Sequence, residues 1–194
     1  MGELRKGAAN RVTKETNIDL TLCLDGAGVY RINTGIAFLD HMLELFTKHG
    51  AFDLDLSAIG DLEVDGHHTV EDIGICLGLA LKAALGDKAG INRYGCAVIP
   101  MDEALVMVVI DLSDRGYLAF EADFPRERVG NFDSELVEEF CRAFALNGAF
   151  NLHVRMLAGK NTHHIIEGIF KAIAFASTSL PEIPNIVVFG LGNA

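Results

Sequence analysis

Four of the seven histidines stand in two adjacent pairs, His67-His68 and His163-His164, and a glutamate follows each pair at the same distance, Glu71 and Glu167. Residues three and four apart share a helix face. Each pair and its glutamate therefore bring imidazole nitrogens and a carboxylate together at a helix start. Nitrogen and oxygen donors with few thiolates suit Mn²⁺, Fe²⁺, Co²⁺ or Zn²⁺. Neighbouring side chains diverge by about 100° around a helix of 3.6 residues per turn, so adjacent histidines reach one ion only under strain. If each pair gives one histidine to each of two ions, the result is a dinuclear, pseudo-twofold centre. For a single pair, the competing reading is an exposed helix cap.

The two pairs keep the register of a duplication. His49-Gly50-Ala51-Phe52-Asp53-Leu54 returns 98 positions later as Asn147-Gly148-Ala149-Phe150-Asn151-Leu152, and the His-His segments lie 96 positions apart. Two repeats, approximately 1–90 and 91–180, with a two-residue deletion in the second, account for both offsets. The same register sets His41 opposite Glu139, two residues competent to bind a metal. Glu139 also stands among Glu135 and Glu138, which alone reads as a charged surface.

Elements that would carry these residues follow from periodicity. Leu39, Met42, Leu43 and Phe46 recur at helical spacing, as do Leu136, Val137, Phe140 and Phe144. Each helix is expected to stop at the glycine of its Gly-Ala-Phe segment, in a left-handed conformation. Alternation then predicts strands at Phe52, Leu54, Leu56 and at Phe150, Leu152, Val154, Met156. The His-His segments open second helices with stripes Ile73, Leu77, Leu81, Leu85 and Ile166, Ile169, Phe170, Ile173. Cys96–Ile99 and Ala104–Leu112 read as strands joined by a turn from Pro100 to Glu103. Asn17–Leu24, ending in Asp25-Gly26, predicts a hairpin with Val29–Ile32. Two such halves can bury their helices against each other as one fused α+β sandwich. His153 alternates in a strand and faces either core or site, while Met42 and Met101 read as packing.

Composition narrows the function. The 194 residues are 50% hydrophobic and 22% charged, too apolar for a disordered chain. A net charge of -11 disfavours nucleic acid and anionic membranes, both of which call for a basic face. No apolar run approaches the ~20 residues of a membrane span. The first residues lack the apolar stretch of a secretory signal. Cys23, Cys76, Cys96 and Cys141 form no C-x-x-C pair and read as buried free thiols in a reducing cytoplasm.

Several segments together resemble the imidazoleglycerol-phosphate dehydratase family over nearly the whole chain. They are Arg11-x-Thr13-x-Glu15-Thr16, Thr34-Gly35-x-x-Phe38-Leu39-Asp40-His41-Met42-Leu43, Gly60-Asp61-Leu62 and Asp65-Gly66-His67-His68-Thr69-Val70-Glu71-Asp72. Arg93-Tyr94-Gly95, Pro100-Met101-Asp102-Glu103-Ala104-Leu105 and Gly159-x-Asn161-x-His163-His164-x-x-Glu167-x-x-x-Lys171-Ala172 complete the set. The resemblance implies two four-stranded sheets sandwiching a four-helix bundle, and a hollow, octahedral 24-subunit particle with sites between subunits. It implies two Mn²⁺ per active site, held by His41, His67, His68, Glu71, Glu139, His163, His164 and Glu167. Glu15, Arg93, Arg115 and Lys171 match substrate-contacting residues, and His41 and His49 are further candidates; His49 is equally placed to cap its helix.

The implied reaction converts D-erythro-imidazoleglycerol phosphate to imidazole acetol phosphate in histidine biosynthesis. No carbonyl acidifies the C–H that must be lost. Metal ions on the ring nitrogens would allow an imidazolate, whose electrons expel the hydroxyl and leave a diazafulvene-like intermediate. A carboxylate must then move the proton: Glu15 first, with Glu71 and Glu167 as rival carriers. Arg93, Arg115 and Lys171 are the expected phosphate clamp. The chain departs from the family in its apolar tail, 181–194, which lacks the usual Ser-x-Lys, and in Ser113-Asp114-Arg115-Gly116-Tyr117, where Ser-Gly-Arg-Pro-Tyr is more usual. Two rival functions are a dinuclear phosphate-ester hydrolase and a metal-binding shell without catalysis.

Overall fold

The computed structural model describes residues 4–178, so the tail at 181–194 lies outside the described residues. The first half runs β1 (Lys6–Val12), β2 (Thr16–Cys23), β3 (Tyr30–Asn33), α1 (Ala37–Gly50), β4 (Asp53–Gly60) and α2 (His67–Leu85). The second runs β5 (Tyr94–Met101), β6 (Ala104–Asp111), β7 (Tyr117–Glu121), the short β8 (Arg128–Val129) and β9 (Phe132–Asp133), α3 (Leu136–Gly148), β10 (Asn151–Ala158) and α4 (Thr162–Thr178). The main sheets have orders β1-β2-β4-β3 and β5-β6-β10-β7, the same path in each half. In both, the last-named strand pairs in parallel with its neighbour after a helical crossover. The fold is α+β, with two four-stranded sheets enclosing four helices.

Alternation dictates which face each strand buries. Ile18, Leu20, Leu22, Leu54 and Leu56 point inward from the first sheet, and Val106, Val108, Ile110, Leu152 and Val154 from the second. Helix α2 lies on β1 and β2, and α4 on β5 and β6. Across the middle, α2 packs on α3 and α1 on α4, so each half covers the other's helices. Glycines permit the close approaches. A Cβ on Gly7 would sit 2.0 Å from the Ala80 carbonyl oxygen, and one on Gly95 2.0 Å from that of Ala176. Between helices, Gly74 meets the Phe140 carbonyl and Gly78 meets Phe144 and Gly148. Their order shows that α2 and α3 run in the same direction.

Four expectations need correction. Val29–Ile32 does not form a hairpin with the preceding strand; β3 pairs in parallel with β4, Tyr30 opposite Leu54. The reason lies in the connection. Asp53 Oδ1 accepts the Ala27 and Val29 amides at 2.8 and 2.9 Å, and Gly28 donates to the Phe52 carbonyl at 2.9 Å, which draws the segment onto β4. The left-handed stops fall on Ala51 (φ 51) and Ala149 (φ 55), each one residue after its glycine. Gly50 and Gly148 remain helical, because a Cβ there would lie 2.3 and 2.4 Å from the rings of Phe52 and Phe150. Alanine accepts a left-handed conformation at a cost of roughly 1 kcal/mol; the ring leaves no alternative for the glycine. Cys23, Cys76 and Cys141 are buried, but Cys96 is exposed on edge strand β5. Pro100 and Met101 belong to that strand, and only Asp102 and Glu103 make the turn. A proline costs little on an edge, where no ladder bond awaits its missing N–H.

The α2–α3 contact gives a direct test. Gly78→Ala would force a methyl to within 2.6 Å of the Phe144 carbonyl oxygen. The expected loss is about 1–3 kcal/mol, read as a lower midpoint in denaturant or thermal unfolding; an unchanged midpoint would show that the helices separate freely.

Candidate metal centre

Helix α2 begins at His67 and α4 one residue before His163, and in each case a side chain two residues before the first histidine holds its backbone amide. Asp65 Oδ1 accepts the His67 amide at 2.7 Å, and Asn161 Oδ1 accepts that of His163 at 3.0 Å. Side-chain-to-backbone bonds of this kind shape the turn that leads into each helix. The two rings of each pair then point apart: centroids lie 6.2 Å apart at 89° in the first pair, and 6.1 Å apart at 79° in the second.

In the second half the first histidine turns inward. His163 Nε2 is 3.2 Å from Glu167 Oε2, and His41 of α1 completes a group whose ligand atoms all lie within 4.8 Å of one another. Two imidazoles and a carboxylate at that spacing fit a divalent transition metal. Glu167 is buried. Burial opposes its ionisation, yet Lys171 and His163 hold its pKa below the ordinary carboxylate value. Lys171 Nζ lies 2.6 Å from Glu167 Oε1 and 3.6 Å from Met101 Sδ. His49 follows one turn on, its ring 5.6 Å from that of Phe175. Burial, then the Lys171 charge, keep the His49 pKa below its usual value. The pairings of His41 with His163 and of His49 with Phe175 show that α1 and α4 run in the same direction.

The second histidine of each pair is held by a carboxylate. His68 Nδ1 is 2.9 Å from Asp61 Oδ2, and His164 Nδ1 is 2.7 Å from Glu103 Oε2. Both imidazoles are raised above their ordinary pKa, chiefly by these hydrogen bonds. Glu103 also accepts the Lys160 and Asn161 amides at 3.1 and 2.7 Å through Oε1. His164 first, then these amides, bring the Glu103 pKa down to about 2. Neither acid stood among the sequence-derived site residues. The available signal was physical: a ligating histidine needs an acceptor for its other nitrogen, which Asp61 supplies from the segment before α2 and Glu103 from the turn between β5 and β6.

Other expected residues are placed apart. By repeat register, Glu139, His67 and Glu71 correspond to His41, His163 and Glu167, but they form no such group among the described residues. The Glu139 carboxylate lies 3.8 Å from Arg142 Nε. Glu15 is exposed in the β1–β2 turn beside His68, whose pKa its charge helps to raise. That turn is anchored: Thr16 Oγ1 donates to buried Asp72 at 2.5 Å, and Arg11 Nε pairs with Asp72 at 2.7 Å. Arg93 pairs with Asp111 at 2.6 Å, and Arg115 acts on the same acid. Arg93 precedes β5, whose far end carries Met101 beside Lys171. Eight strand residues span roughly 26 Å, so a single chain does not unite the expected phosphate clamp. His153 is exposed near Tyr117, facing neither core nor metal group; Met42 is fully buried.

Comparison with known proteins is consistent along the chain. The family described as imidazoleglycerol-phosphate dehydratase matches residues 34–177. Proteins of that name from Pelotomaculum thermopropionicum and Desulforudis audaxviator are 64% and 59% identical, covering 88% and 93% of this chain and 87% and 92% of their own. The crystal structure of the Staphylococcus aureus imidazoleglycerol-phosphate dehydratase superposes with a TM-score of 0.83 at 42% identity, over 92% of this chain and 99% of that one. The Pyrococcus furiosus enzyme, solved in complex with (S)-C348, gives 0.79 at 34% identity, over 93% and 98%.

The Glu103 contacts carry a pH dependence. Its folded pKa is depressed, so its stabilisation is present above pH 4.5 and is lost as pH falls from there towards about 2. Glu103→Gln removes the titrating group, and its denaturant midpoint should fall less steeply over that interval than the wild type's. Parallel acid limbs would show that the carboxylate is not bound more tightly when ionised.

Proposed function

The chain belongs to the imidazoleglycerol-phosphate dehydratase family, lyases of histidine biosynthesis, and on that premise we propose a reaction carried out with two Mn²⁺ per active site. In it D-erythro-imidazoleglycerol phosphate loses water to give imidazole acetol phosphate. The observation that carries the metal reading is the convergence of His41, His163 and Glu167. His67, His68, Glu71, Glu139 and His164 supply the remaining donors. Bound ions would acidify the substrate's imidazole, so that the ring can expel the hydroxyl on the adjacent carbon.

The protein residues divide the remaining work. Glu15 moves the proton between carbon and solvent: it is exposed, lies beside His68, and its carboxylate makes no hydrogen bond or ion pair among the described residues. Glu167 and Glu71 are the alternative carriers, but the ion pair with Lys171 commits Glu167 to its anionic form. Lys171 offers the phosphate a point charge, while Arg93 and Arg115 offer guanidinium forks. Their separation within one chain supports completion of the clamp by another copy, as in a 24-subunit octahedral particle. His41 and His49 line the substrate side of α1. Three buried thiols suit the reducing cytoplasm.

Turnover of imidazoleglycerol phosphate by metal-stripped protein, with and without added Mn²⁺, tests the reading through the ketone product. Product should require Mn²⁺, and His163→Ala should abolish it. Glu15→Gln should lower kcat by about 10²–10⁴-fold while Mn²⁺ still binds. An assembled, Mn²⁺-loaded protein that forms no ketone would overturn the dehydratase assignment for this chain.

A further inference from the structure

The second histidines, His68 and His164, face a requirement that the first do not. Each has one nitrogen already occupied, and which nitrogen carries the proton decides whether the other can bind an ion. An ionised carboxylate only accepts. Against Glu103 Oε2 and Asp61 Oδ2, at 2.7 and 2.9 Å, the Nδ1 atoms must therefore donate. In the neutral imidazole Nε2 is then left with its lone pair.

The two halves meet this need from different places. Equivalent turns join β1 to β2 and β5 to β6, and each carries a glutamate near its half's second histidine: Glu15 near His68, Glu103 on His164. In the second half, the turn glutamate does the holding. Its Oε1 is locked by the Lys160 and Asn161 amides, so Oε2 has one direction available. In the first half, Asp61 at the end of β4 holds the histidine instead. Among the described residues its Oδ1 is buried without a partner, and the Glu15 carboxylate has none either.

We propose that Glu103 and Asp61 are positioning residues that set His164 and His68 in the tautomer able to bind metal through Nε2, and that substitution of Asp61 for the turn acid is what frees Glu15 to move protons. This rests on the metal reading above. The two acids differ in a testable way. In Glu103→Gln, the backbone amides claim the single carbonyl oxygen, so the amide nitrogen faces His164 Nδ1 as a donor. Nδ1 must then accept, the proton moves to Nε2, and the ligand is lost. In Asp61→Asn, no backbone bond fixes the amide, so its oxygen can turn to His68 and preserve the tautomer.

The test is titration of the assembled, metal-stripped protein with Mn²⁺ in the absence of substrate, following free Mn²⁺ by electron paramagnetic resonance. Circular dichroism and particle size report folding. Glu103→Gln should weaken the affected ion by about 10–100-fold, whereas Asp61→Asn should bind within about threefold of wild type and Asp61→Leu should weaken it as Glu103→Gln does. Glu15→Gln should bind Mn²⁺ as wild type does. Wild-type affinity in folded Glu103→Gln would overturn the positioning role. If that variant does not assemble, Asp61→Leu decides in the same way: weakened binding supports the role, unchanged binding overturns it. A wild-type protein that takes up no Mn²⁺ would overturn the metal reading itself, and this inference with it.

Discussion

Where α2 crosses α3, the absence of side chains at Gly74 and Gly78 brings the helix backbones nearly into contact, and the rest of the molecule is arranged around that approach. A Cβ on Gly74 would lie 2.8 Å from the Phe140 carbonyl oxygen, and Phe140 and Phe144 fill the space alongside. Spacing of this kind cannot be adjusted locally, because close-packed interiors pass a displacement to their neighbours. The turns that carry Glu15 and Glu103 rest on sheets whose own glycines, Gly7 and Gly95, touch α2 and α4. A few backbone contacts thus set the height of each histidine pair above its sheet. The group of His41, His163 and Glu167 inherits its dimensions from them.

Much of this was legible in the sequence, because the same residue pattern occurs twice along it. The histidine pairs, the stripes on all four helices and the strands at Phe52–Leu56 and Phe150–Met156 were each visible as local periodicity. The inward strand faces followed. Misread elements share one cause: local signals were outweighed by partners distant in the chain. Asp25-Gly26 is a sound hairpin signal, but Asp53, more than 20 residues away, captures the backbone around Gly28. Gly50 looked like a left-handed cap, yet it is glycine because of Phe52's ring.

The candidate site was legible by residue type, less so by grouping. Register alone set His41 opposite Glu139, and the structure places His41 with His163 and Glu167. That grouping depends on α1 lying beside α4 of the other half, which no periodicity encodes. Asp61 and Glu103 were passed over for a related reason. An acid in a turn looks like any solvated acid until the loop before the helix is folded against it. The position that matches Lys171 in the first half holds apolar Ile75, and buried Glu167, which pairs with Lys171, gives that asymmetry a physical basis.

The exchange of helices between halves also bears on how the chain reaches its fold. Helices α1 and α2 find their principal helical partners only in α4 and α3, whose facing residues lie more than 60 positions further along the chain. During synthesis the first half emerges with the inner faces of both helices uncovered. Closure of its core must await nearly the whole chain. Such long-range pairing slows folding and leaves sticky intermediates exposed. A ribosome-bound fragment ending before α3 would therefore need a chaperone more than the completed chain does.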